Sequence, residues 1–239
     1  MTIFKASSAK MRKEILFSLL LLLPVAAGAA GMGVSLPITV TETERLDYSD
    51  FNGDKYHFDY KPSTGLGFVI DSNIGKNSTF NYRFNFEYSM AEIDTAERLV
   101  ATDLTKHKYN LVNTFGFGVL QARAVRIWVG PRLNVQYEYA SGSSNIRNQY
   151  SYGIGLAAAG GINVILGRTV ALAADVGYHG TLLFGSEKYR DIDDLSHTSG
   201  YVGTNKGLTA RLYLLFRFGE RFEERAEEST DDAVIDNTL

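Results

Sequence analysis

Nine charged residues sit where an extended chain would bring them to a common side. Asp71, Arg83, Glu87, Arg126, Arg132, Glu138, Asp175, Arg211 and Arg217 each occupy the polar phase of a stretch that alternates with apolar residues. Buried charge persists when it is paired and hydrogen-bonded, so four acids against five bases suit an ion-paired interior. Two chemistries follow: a narrow polar pore, or a plug that satisfies its own charge. A structure of few strands leaves little lumen, which makes the plug the expectation.

Other candidate chemistry is sparse. His57, His107, His179 and His197 all fall toward long polar connections. His197-Thr198-Ser199 loosely resembles the His-x-Ser element of lipid A deacylases. A nucleophilic serine needs a base and an orienting acid. No acid follows Ser199 before Glu220, and no asparagine follows the serine. Asp50-x-Asn52-x-Asp54 begins like a calcium loop, but Lys55 holds the glycine position and Lys61 the bidentate-glutamate position. Asp191, Asp193 and Asp194 read as a solvated acidic loop. No catalytic residue, cofactor site or metal site is expected. Phosphate-loop, zinc and nucleic-acid patterns are missing as well.

The elements that must position the charges are strands. In Thr79–Met90, Phe80, Tyr82, Phe84, Phe86, Tyr88 and Met90 alternate with Asn81, Arg83, Asn85, Glu87 and Ser89. That period of two describes a strand with unlike faces. Its length suits a tilted membrane-spanning strand of about 9–11 residues. Seven further segments alternate likewise, at 34–41, 66–71, 109–119, 126–139, 153–164, 170–178 and 207–218. In 153–164 the face opposite Ile154, Leu156 and Ile162 is almost entirely glycine and alanine, which suits a crowded interior. Trp128 falls on the inner phase. Tyr82, Tyr88, Tyr109, Tyr137, Tyr139 and Tyr178 fall on the outer one, where aromatic girdles form.

The ends set a compartment. Lys5, Lys10, Arg12 and Lys13 precede an apolar run from Ile15 to Leu23, then Pro24 and the small residues Ala26, Ala27, Gly28, Ala29 and Ala30. This is the order of a secretory signal, expected over 1–30. The chain has no cysteine, which excludes a lipoprotein anchor and disulfides. Residues 219–239 carry eight acids against two bases and are expected to remain a solvated, disordered periplasmic tail. Residues 31–218 hold 18 bases and 18 acids, no basis for nucleic-acid binding.

Short turns at 75–78, 121–124 and 167–168 alternate with long polar connections at 42–63, 91–106, 140–150 and 180–205. Up-and-down strands would gather all short turns at one end, the layout of an outer-membrane barrel. Closure is required because unpaired sheet edges are not tolerated in hydrocarbon. The expected fold is therefore all-β: an eight-stranded antiparallel up-and-down transmembrane barrel.

Residues 31–218 resemble the small outer-membrane barrels of the OmpA, OmpX and OmpW type. Gly207, Leu212, Leu214, Phe216 and Phe218 are similar to the signal such proteins present to the barrel-assembly machinery, although here an acidic tail follows. Gly130-Pro131-Arg132 is also similar to these families. The resemblance implies outer-membrane lipid and the assembly machinery as partners. It implies a non-enzymatic role, structural or in surface interaction, with long loops meeting an extracellular partner. A narrow small-solute channel of the OmpW kind is the alternative, and a lipid A-modifying enzyme a more distant one.

Overall fold

The computed structural model describes residues 31–48, 55–74, 79–96, 105–122, 124–141, 147–190 and 196–218. The signal, the acidic tail, the 75–78 turn, the calcium-like Asp50–Asp54 stretch and the Asp191–Asp194 cluster lie outside these residues. All described regular structure is strand: β1 (Gly31–Tyr48), β2 (Lys55–Tyr60), β3 (Ser63–Asp71), β4 (Phe80–Ala96), β5 (Thr105–Gln121), β6 (Val125–Ser141), β7 (Arg147–Ile165), β8 (Val170–Arg190) and β9 (Ser196–Arg217).

The strands are antiparallel neighbours in chain order, and β1 pairs with β9 to close a barrel. Nine strands make eight staves. β2 and β3 both pair β1 on one side and β4 on the other. They are halves of one stave broken at Lys61-Pro62, where proline has no N–H to donate to a ladder.

The staves are strongly tilted. The pairing row leaving β1 at Met32 runs through Ile70, Phe84, Asn113, Leu133, Leu156, Gly180 and Lys206. It returns to β1 at Thr43, far up the same strand. Such a stagger accompanies closure of a small barrel.

The long connections expected at 42–63, 91–106, 140–150 and 180–205 are largely strand. β1 runs on to Tyr48, and β8 and β9 extend the wall by Gly180–Arg190 and Ser196–Asn205. Polar outer positions there hide the alternation, because above a lipid belt both faces of a strand can be polar. His197-Thr198-Ser199 accordingly lies on β9 rather than in a loop.

The outer face carries the apolar phase. Met32, Val34, Leu36, Leu66, Phe68, Phe86, Phe117, Val129, Leu156, Leu172, Val176, Leu212, Leu214 and Phe216 are all exposed. Few water-soluble monomers expose contiguous apolar surface of that extent. Tyr88, Tyr109, Tyr137 and Tyr152 form a cross-strand row with successive ring centroids 5.1, 6.1 and 5.1 Å apart. Aromatic rows of this kind border the apolar band of membrane barrels.

Candidate functional site

The interior is filled, and its filling is ordered along the axis. Near the short-turn end, Val69, Ile74, Ala171, Ala173, Tyr213 and Leu215 form a buried apolar cluster. Among and above it lies a first ionic layer. Arg83 donates from Nε to Asp71 Oδ2 at 2.8 Å and from Nη2 to Asn163 Oδ1 at 2.9 Å. Arg211 grips Glu87 with two hydrogen bonds, of 2.6 and 3.1 Å. Asp175 is the hub. Its carboxylate lies 2.8 Å from Arg132, 3.7 Å from Arg83 and 3.8 Å from Arg211, and it accepts from Tyr213 Oη at 2.6 Å. The forked Arg–carboxylate geometry of Arg211 and Glu87 adds direction to the charge pairing.

The bare inner face of β7 makes this layer possible. Arg132 on β6 reaches Asp175 on β8 over Ala157 and Gly161. Trp128, 1% exposed, lies on Gly161, where an added Cβ would stand 2.6 Å from the indole. Arg83 is sandwiched between Trp128 and Tyr213, 5.5 and 4.4 Å from the ring centres. The indole N–H has no hydrogen-bond partner among the described residues.

A second ionic layer lies toward the other end. Lys106 bridges Glu44 and Glu138, with the Glu138 contact at 3.2 Å. Lys108 pairs with Glu42 and lies 3.8 Å from Glu138. Ser151 donates to Glu138 at 2.9 Å, and Tyr60 to Glu44 at 3.0 Å. Above this layer Leu46, Tyr48, Phe58, Tyr60, Ala91, Ile93, Leu183 and Tyr201 form an apolar lid. Between the two ionic layers a cavity of about 30 Å³ touches Pro37, Glu87, Lys108, Asn134, His179 and Arg211. That is room for one or two water molecules.

Of the nine charges expected inward, Asp71, Arg83, Glu87, Arg126, Arg132, Glu138, Asp175 and Arg211 are buried. Arg126 differs from its expected role: it donates to the backbone carbonyls of Asn73, just after β3, and Thr79, just before β4. Arg217 is a correction. It sits at the rim, half-buried, donating to Gly167 O at 2.9 Å, because the strand ends there and the lumen with it.

Glu42, Glu44, Lys106 and Lys108 are inside without having been expected there. Lys106 and Lys108 extend the inner phase of Val112, a usable signal. Glu42 and Glu44 cannot be reached by counting. A bulge between Thr39 and Thr41 shifts the register, so Ser35 and Glu42 share a face despite opposite parity. The three glutamates bring carboxylate oxygens within 4.8 Å of one another, the spacing of a cation site. Lys106 and Lys108 already supply the countercharge there.

Ser199 faces inward, 2% exposed and opposite Glu187 across the β8–β9 ladder. Its hydroxyl has no hydrogen-bond partner among the described residues. Leu212, Leu214 and Phe216 point outward from β9, and Phe218 just beyond it is exposed, while Gly207 faces inward against His179.

No family model and no curated protein matches the chain. Solved structures do. The outer membrane protein OprG from Pseudomonas aeruginosa superposes with a TM-score of 0.58 at 12% identity, over 80% of this chain and 97% of that one. A major outer membrane protein from Thermus thermophilus matches more loosely, with a TM-score of 0.45 at 12% identity over 77% of this chain and 99% of the other. With a closed eight-stave wall, an apolar exterior and an ion-paired interior already established, the chain has the fold of the small outer-membrane β-barrels.

Proposed function

We propose that the protein is a non-conducting resident of the outer membrane, whose role is structural or in surface interaction. The observation that carries this reading is the filled lumen. Two ionic layers lie between two apolar clusters, and the intervening cavity is water-sized. An ion crossing it would have to shed its hydration and displace paired charges, which is costly in a low-dielectric interior. The small-solute channel is disfavoured by the same filling.

What remains to act is the wall that continues beyond the tyrosine row. Its β1–β2 ladder turns a mixed-charge face outward, with Arg45 opposite His57 and Asp47 opposite Lys55. Leu46, Tyr48 and Phe58 anchor its inner face in the apolar lid. A rigid, polar projection suits binding better than mobile loops would, because little ordering entropy is lost on contact. The extracellular partner is thus expected to meet strands rather than long loops.

Planar-bilayer recording tests the reading. Folded, detergent-purified protein is expected to give no conductance above the lipid background. Reproducible unitary steps that persist in freshly refolded protein would replace it with the channel.

A further inference from the structure

The outer face changes character around the barrel. On β5 and β6 the apolar belt ends in tyrosines, and no outward residue of these strands is charged. On β9 and β1 the belt ends differently. Above Leu208 come Lys206 and Thr204, and above Val40 come Thr43 and Arg45. Lys206 stands opposite Thr43, and Thr204 opposite Arg45, across the closing ladder. Directly opposed side chains start about 4.5–5.5 Å apart, so these four form one outward block of two bases and two hydroxyls. Neither base has an ion-pair partner among the described residues. The acids nearby face other bases: Asp59 lies 3.4 Å from His57, and Asp47 stands opposite Lys55. Two sides of the block are apolar. Leu208 lies below it. On β8, exposed Tyr178 and Leu182 flank Gly180, which is directly opposite Lys206. Nothing lies within 4 Å of where a Gly180 Cβ would stand, so the wall has a notch beside the lysine.

We infer that Lys206, Arg45, Thr43 and Thr204 bind the phosphate of an anionic membrane lipid, whose acyl chain lies in the notch at Gly180. The inference rests on the membrane placement proposed above. The donors select phosphate. A guanidinium fork, an ammonium and two hydroxyls diverge from four corners, and a tetrahedral group with several acceptor oxygens can meet them together. The surroundings select a lipid. The block stands where the apolar belt gives way to polar residues, the depth at which headgroups lie. Its apolar sides are the one below and the one on β8, so a ligand held there is anionic at one end and apolar toward the membrane interior. A soluble anion would use the bases and leave the notch empty.

The native chain has no cysteine, so a single introduced thiol reports on one place. Leu208→Cys beside the block and Val135→Cys on β6 are labelled with bimane and refolded into phosphatidylcholine vesicles. Each is quenched by phosphatidic acid or phosphatidylcholine carrying a nitroxide on the upper acyl chain. At position 208 the phosphatidic acid should be preferred by about fivefold or more, the worth of one or two bases at a membrane surface. At position 135 the two lipids should quench alike. Arg45→Gln combined with Lys206→Gln should remove the preference while heat-modifiable gel mobility persists, and Lys188→Gln, higher on β8, should leave it. Equal quenching by the two lipids at position 208 overturns the inference. So does a preference of the same size at position 135, or one lost equally in Lys188→Gln, since both describe diffuse attraction. Inorganic phosphate added at constant ionic strength should not compete; if it abolishes the preference, the block is a site for a free anion and not for a lipid. No quenching by either lipid at either position would instead strike the membrane placement itself.

Discussion

Arg132 and Asp175 meet at 2.8 Å although the strands that carry them are not neighbours. β7 lies between, and its alanine and glycine positions leave the space over which the arginine passes. A wall stave without inner side chains thus works as a window through which β6 and β8 are tied.

Asp175→Asn should be the most damaging single change in the lumen. It leaves Arg83, Arg132 and Arg211 facing one another with one carboxylate fewer. Removing one partner of a buried pair costs about 3–5 kcal/mol. Urea unfolding in lipid vesicles, followed by the emission of the single tryptophan, should show that loss. A midpoint unchanged from wild type would mean the arginines find other partners.

Gly161→Val should leave no foldable barrel. Its Cβ would stand 2.6 Å from both the Trp128 ring and the Ala174 carbonyl oxygen, contacts that backbone on one side cannot relax. The folded, heat-modifiable band should disappear from refolding gels. Gly167→Val, at a turn position with open space around it, is the matched control.

Lys106→Met should produce a barrel that is more stable in acid than at neutral pH. Without the ammonium, Glu44 and Glu138 are buried carboxylates with no shared counterion. Protonation relieves their repulsion and desolvation, so the unfolding midpoint should rise as pH falls through the carboxylate range. A midpoint that falls with pH would contradict this account of the upper layer.

Leu183→Ala should separate sealing from stability. Leu183 is fully buried in the upper apolar cluster, and truncation there costs about 2–5 kcal/mol. Conductance should nevertheless stay at background, because both ionic layers remain below. Ion flow in this variant would assign the seal to the apolar lid alone.

Alternation makes much of this architecture legible. Thr79–Met90 displays its two faces residue by residue, and Arg83 and Glu87 are where that pattern puts them. The failures have definite causes. At Val40 a bulge exchanges the faces, so Glu42 and Glu44 cannot be assigned by parity. Beyond the tyrosine row the outer positions become polar, so strand there looks like loop, and Lys106 and Lys108 go with it. Pro62 divides one stave in two, which no count of hydrophobic phases reveals. Arg217 departs from its expected place because alternation specifies a face but not where the lumen stops.

The ladder that closes the barrel joins β1 to β9, and Leu208 N–H reaches Thr41 Oγ1 across 167 residues of chain. Timing follows from that seam. No earlier set of strands can make a complete wall, so every intermediate carries two unpaired edges. Closure must wait until the last strand is available, and contacts so distant in sequence form slowly. The chain is therefore at its most aggregation-prone before its two extremes meet.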